Sequence, residues 1–148
     1  MDRHQRKLVR RINFINRISM KNGGKQVAKL LKIYNRIIFG CDIGIGAVIP
    51  TSTVFHHCAL GCTIGNNTII GENCQLYTNV TLGTKNINIA DGNPIIGNNV
   101  TIGTGAIVLG KVYIGDNSII GAGAVVLQDM PPNALIVGNP AKVKKIYG

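Results

Sequence analysis

Three histidines occur in the 148 residues. Two of them, His56 and His57, stand side by side in Phe55-His56-His57-Cys58-Ala59-Leu60-Gly61-Cys62-Thr63-Ile64. An imidazole with an ordinary pKa near ~6.5 can accept the proton of a hydroxyl and make it a competent nucleophile. Cys58 offers a second chemistry, a covalent thiolate intermediate. No base-and-orienter pattern surrounds it, and direct transfer needs no covalent step. A metal centre needs about three converging ligands. His4 is the remaining histidine, so no metal is expected. Cys58 and Cys62 form a C-x3-C pair without a matching second pair, and Cys41 and Cys74 stand apart. Free thiols in a reducing cytosol are the expectation.

The elements that position these residues are legible from residue 43 onward. An aliphatic residue followed by a small one recurs every six residues. Ile64-Gly65, Ile70-Gly71, Leu76-Tyr77 and Leu82-Gly83 keep the step, and Ile96-Gly97 to Val126-Leu127 keep it without a slip. Ten pairs in phase are the mark of a hexapeptide repeat, in which six residues supply one short strand and one corner. Asn66-Asn67, Asn98-Asn99 and Asp116-Asn117 fall at the corners, where Asn and Asp tolerate the left-handed conformation. The register breaks twice. Phe55 to Ile64 is three residues too long. Leu82 to Ile96 spans fourteen residues, two more than two repeats. A solenoid tolerates insertions where they leave its stacked core, and such loops often build the functional face.

Residues 1–40 differ in character. They hold eleven Lys or Arg and one acid, Asp2, whereas residues 41–148 hold five of each sign. The net charge of +10 is therefore confined to the preface, which excludes an evenly basic nucleic-acid-binding domain. Leu8, Ile12, Ile15 and Ile18 or Met20 recur at helical steps, and Asn22-Gly23-Gly24 breaks the pattern. Val27, Leu30, Leu31, Tyr34, Ile37 and Ile38 mark one face of a second helix, with Lys25, Lys29, Lys32 and Arg36 on the other. The apolar faces are expected to pack on the neighbouring domain. The alternative is contact with an anionic membrane surface. There is no run of 18 apolar residues for a membrane span, and the charged start lacks a secretory h-region. Hydrophobic residues are 45% of the chain and aromatics 5%, enough for a core built from aliphatics.

Residues 41–146 resemble the left-handed β-helix acyltransferases, in the branch of serine acetyltransferases and polysaccharide O-acetyltransferases. The resemblance rests on Val80-Thr81-Leu82-Gly83, on Ile-Gly-Ala-Gly-Ala-Val-Val-Leu at 120–127, and on Met130-Pro131-Pro132-Asn133-Ala134. It rests most specifically on Gly138-Asn139-Pro140-Ala141-Lys142, which is similar to G-x-P-A-[KR]. The expected fold is an all-β solenoid. It is a left-handed parallel β-helix of about five coils, eighteen residues to a coil, over residues 41–148, with a basic helical extension at 1–40 and a loop insertion at 84–95.

The resemblance implies a homotrimer with active sites at subunit interfaces, acetyl-CoA as donor and a histidine base in the first register break. His57 is the first choice and His56 the second, because one extra residue separates His57 from Gly61 relative to the family pattern. Serine acetyltransferases also resemble one another in a second histidine before Pro-[KR]-Ile. Here Asn93 takes that place in Asp91-Gly92-Asn93-Pro94. That departure and the short helical preface favour a sugar or cell-surface polysaccharide precursor as acceptor, with Asn93 or Asp91 orienting its hydroxyl. Serine O-acetylation and a non-catalytic scaffold are the alternatives. Thr104 and Ala122, following corner glycines, would let the pantetheine approach the backbone, and Lys142 would meet the CoA phosphates. The expected location is cytoplasmic, at most peripheral to the inner membrane face.

Overall fold

The computed structural model describes residues 3–19, 24–86 and 92–148, without the side chains of 3–7 and 25. Among the described residues two helices, α1 (Arg3–Ser19) and α2 (Gly24–Phe39), precede fourteen short strands. The strands form three parallel faces of a triangular prism, the left-handed β-helix. The first face stacks β1 (Asp42–Ile43), β3 (Thr63–Ile64), β6 (Thr81–Gly83), β9 (Ile107–Leu109) and β12 (Val125–Val126). The second stacks β4 (Ile69–Ile70), β7 (Ile95–Ile96) and β10 (Tyr113–Ile114). Bridges from Val48 to Ile69 and from Ile114 to Met130 extend it to five levels. The third stacks β2 (Val54–Phe55), β5 (Gln75–Leu76), β8 (Thr101–Ile102), β11 (Ile119–Ile120) and β13 (Ala134–Gly138). On it β14 (Ala141–Ile146) folds back antiparallel.

The repeat produces this geometry directly. Thr63 pairs with Thr81 and Ile107 with Val125, each eighteen positions on. Every residue therefore stands on its counterpart one coil away, at a spacing of about 4.8 Å. The first member of each aliphatic pair points inward. Ile64, Leu82, Val108 and Val126 fill one column, and Phe55, Leu76, Ile102, Ile120 and Ile136 another, all essentially inaccessible. Each such burial stabilises by about 1.5–3 kcal/mol. Smaller inward residues two positions earlier, such as Cys62, Val80, Ala106 and Ala124, let the coil turn.

The two register breaks resolve differently. Val54 pairs with Gln75, twenty-one positions on, so the first break adds three residues to one corner, as the spacing predicts. Thr81 pairs with Ile107, twenty-six positions on. The second break is therefore eight residues inserted at a single corner, between β6 and β7, and not two repeats with two residues over. An aliphatic count cannot tell which face the chain has resumed.

The prism has three edges. The edge between the second and third faces carries Asn73, Asn99, Asn117 and Asn133, all at φ between +56° and +58°. The amides of Asn99 and Asn117 each donate to the next asparagine along, at 3.1 Å. Side-chain amides thus stabilise a conformation that other L-residues adopt only at a cost.

Helix α1 plugs the open end of the first coil. Leu8, Val9 and Ile12 are buried in the same core as the coil columns, and Ile15 is buried beside them on the helix. Asn13 donates to the Ile49 carbonyl (3.1 Å), and Asn16 donates to that of Ala47 (2.8 Å). Helix α2 departs from expectation. Its inward residues are Ala28 and Asn35, whereas Val27, Leu30, Tyr34, Ile37 and Ile38 are exposed. The small side of the helix faces α1, so the apolar stripe read as a packing face points away from the protein.

Asn117→Ala should lower stability by about 1–2 kcal/mol, because alanine pays for the left-handed conformation and ends the amide ladder. Asn117→Gly should cost less. Denaturant unfolding midpoints of the two variants check the order.

Candidate active site

The edge between the third and first faces carries the histidines. After β2 the chain makes a tight turn over His56–Ala59 in which His57 (φ 51°), Cys58 (φ 56°) and Ala59 (φ 61°) are consecutively left-handed. Three adjacent non-glycine residues in that region store strain of order 1–3 kcal/mol each. The surroundings hold it in place. Ala59 is fully buried. The Leu60 N–H donates to the His57 carbonyl (3.2 Å), Cys62 N–H to that of Ala59 (2.9 Å) and Gly61 N–H to that of Gly40 (2.9 Å). The turn accommodates the extra residue between His57 and Gly61, and it leaves the His57 side chain exposed.

The two imidazoles differ. His56 stacks on Tyr77, with centroids 4.2 Å apart and planes 14° apart. Its Nε2 lies 3.2 Å from Gln75 Oε1. Since an amide oxygen only accepts, that nitrogen is the donor, which leaves Nδ1 to accept a proton. His57 makes no side-chain hydrogen bond among the described residues, so its lone pair is open to a hydroxyl. Gln75 and Tyr77 were not singled out from sequence. Register was the available signal, since Phe55 pairs with Leu76 and His56 therefore stands below Tyr77.

Two of the candidate cofactor residues, Thr104 and Ala122, lie on this same edge. Asn79 N–H donates to the Leu60 carbonyl, Gly105 N–H to that of Thr78 and Gly123 N–H to that of Thr104, each at 2.9 Å. The histidine turn, Thr78, Thr104 and Ala122 thus follow one another up four successive coils, about 14 Å at about 4.8 Å a step. Lys142 is exposed on β14, opposite Val137 at the top of the third face. Gly103 has a packing reason, because a Cβ there would lie 2.6 Å from the Ala122 nitrogen. Gly105 (φ +69°) and Gly123 (φ +68°) have none, since a Cβ at either meets nothing within 4 Å. Asparagine occupies the equivalent left-handed position at Asn79 and along the whole asparagine edge. Glycine instead keeps this strip of backbone bare.

Asn93 belongs to a different edge. Its Oδ1 is buried without a hydrogen-bond partner, and it sits where a Cβ on Gly65 would be. That is the corner between the first and second faces, so a single chain does not bring Asn93 to the histidines. Asp91 lies outside the described residues. Asp42, on β1, is paired with Lys32 (2.9 Å) and Arg36. Burial would raise its pKa, but hydrogen bonds and charge from those two cations outweigh it and hold the carboxyl below its ordinary value.

All four cysteines are free thiols. Burial, with nearby Cys62 and Asp42, pushes Cys41 up to about 11. Burial also raises Cys62 and Cys74, whose thiols donate to the carbonyls of Tyr77 (3.2 Å) and Gly97 (3.1 Å). Among the described residues no group of three His, Cys, Asp or Glu could hold a metal ion.

Comparison with known proteins agrees with this geometry. Residues 93–128 match the family model described as bacterial transferase hexapeptide (six repeats). The serine acetyltransferase of Mycobacterium tuberculosis is 39% identical over 123 residues, which are 83% of this chain and 53% of that protein. The crystal structure of Neisseria gonorrhoeae serine acetyltransferase superposes with a TM-score of 0.88 at 34% identity, covering 94% of this chain and 54% of that one. Brucella abortus serine acetyltransferase in complex with coenzyme A gives 0.88 at 31% identity, covering 95% and 55%. The chain shares the hexapeptide repeat of that family model and the left-handed β-helix of these acetyltransferases. These likenesses are to serine acetyltransferases, and the chain spans about half their length.

The thiol environments predict selective alkylation. Iodoacetamide near pH 8 should modify Cys58 first and spare Cys41, Cys62 and Cys74 until the protein unfolds. Peptide mass mapping reads the order, and early labelling of Cys41 would contradict the burial assigned to it.

Proposed function

We propose that this chain carries an acetyl-CoA-dependent O-acetyltransferase activity with His57 as general base. The observation that carries the reading is the single edge on which the free imidazole, the bare glycine strip and the Gly-Asn-Pro-Ala-Lys turn follow one another. His57 accepts the acceptor's hydroxyl proton as the oxygen attacks the thioester carbonyl. The carbon–sulfur bond then breaks, and the imidazolium returns the proton to the departing thiolate. The products are an acetyl ester and free CoA. Backbone N–H groups at the corner would stabilise the oxyanion. His56, held by Tyr77 and Gln75, positions the turn and is the second candidate base. Thr104 and Ala122 flank the pantetheine, and Lys142 faces the phosphates.

The active unit is a homotrimer. Val48, Ile69 and Tyr113 form an exposed column on the second face, and neighbouring copies would cover it. In such an assembly Asn93 of one copy could meet the histidines of another. The location is cytoplasmic, and the basic helices favour a place beside an anionic membrane face.

L-serine is the first acceptor to test, because the similar proteins are serine acetyltransferases. One observation favours a sugar hydroxyl instead. Asn93 stands where the serine enzymes resemble one another in a second histidine, and a neutral amide supplies neither charge nor a titrating proton there.

Free-thiol release from acetyl-CoA should be measured with L-serine and with nucleotide- and lipid-linked sugars. One acceptor class should support turnover. His57→Ala should lower kcat/KM about 10²–10⁴-fold without shifting the unfolding midpoint. No thiol release with any acceptor, together with no binding of CoA, would leave the scaffold reading.

A further inference from the structure

Helix α2 leaves six large apolar side chains in water. Leu30 and Ile37 are 67% and 74% exposed, and Val27, Ile33, Tyr34 and Ile38 lie beside them at helical spacing. Phe14 of α1 is exposed as well. Soluble surfaces rarely keep so continuous an apolar stripe uncovered. Cations border it. Lys29 and Arg36 are exposed on α2 itself, and Arg10 and Arg17 flank Phe14 on α1. The Arg11 guanidinium lies over the rings of Tyr34 and Phe39, at 5.3 and 5.5 Å. Residues 3–40 contain no acid.

We infer that this stripe is a docking surface for an anionic lipid bilayer, with α2 lying in the interface plane. The charge pattern decides between occupants. A second copy meeting this stripe face to face would bring an identical cationic border against it, and like charges in apposition oppose association. An acidic polymer would match the cations but offers nothing to the six apolar side chains. A bilayer surface supplies both, an acyl boundary for Leu30 and Ile37 and anionic headgroups for the border, with Lys and Arg stems reaching outward along the apolar face. Each cation near such a surface adds attraction that salt screens. Among the described residues no helix is long and apolar enough to cross a membrane, so the mode is peripheral. The inference is independent of the acetyltransfer reading.

Flotation of the full chain with vesicles tests it, using phosphatidylcholine alone and an equal mixture with phosphatidylglycerol. The protein should float with the anionic vesicles and not with the neutral ones. Leu30→Glu with Ile37→Glu, both at exposed positions, should weaken that binding about tenfold or more and leave thiol release in solution unchanged. Failure of the wild-type chain to bind anionic vesicles overturns the inference, as does binding that the double variant retains. Sedimentation equilibrium distinguishes the other occupant. A smaller assembly for the variant, with no wild-type vesicle binding, would assign the stripe to a second copy.

Discussion

In-register stacking of one coil on the next is the constraint from which the rest of the molecule follows. Parallel hydrogen bonds at about 4.8 Å require each residue to repeat the conformation of its counterpart, so chemistry as well as shape is arranged in columns. Inward aliphatics become continuous core columns. Left-handed corner residues become continuous edges. A residue type changed at one level of an edge is therefore conspicuous against its neighbours above and below.

The edges of the prism show this. One is an unbroken asparagine column whose amides bridge coil to coil, and its role is mechanical. Another begins with a strained turn of three left-handed residues, passes Asn79 and then changes to Gly105 and Gly123, with open space where side chains would be. Strain at its base and bare backbone along its length both cost stability relative to the asparagine solution. Together they leave an imidazole and bare backbone on one line. The same stacking fixes His56, because its partner Tyr77 is its own counterpart one coil on.

Much of this was legible in the residue order. The six-residue period gives the inward columns, the corner asparagines and the position of the histidine break, because each coil depends on local spacing. Features that depend on closure were less legible. Fourteen residues between Leu82 and Ile96 fit two repeats with two over as well as one corner with eight inserted, and only the pairing of Thr81 with Ile107 separates them. Helical periodicity located the apolar stripe on α2, but a stripe does not say what it faces. Ala28 and Asn35 took the inward side because small side chains allow close approach to α1. The left-handed run at His57–Ala59 had one sign in the sequence, the single extra residue before Gly61. The proposed separation of Asn93 from the histidines by one corner needed the faces to be assigned first.

On this reading the bare strip on the histidine edge is the seat of the donor. It is tested most directly by calorimetric titration of CoA into a Gly105→Asn, Gly123→Asn protein. Asparagine holds the left-handed conformation at Asn79, and a Cβ at 105 or 123 meets nothing within 4 Å, so the fold should survive with its unfolding midpoint unchanged. If the strip seats the donor, the affinity for CoA falls tenfold or more, about 1.4 kcal/mol. Wild-type affinity in that variant would contradict the account and move the donor off this edge.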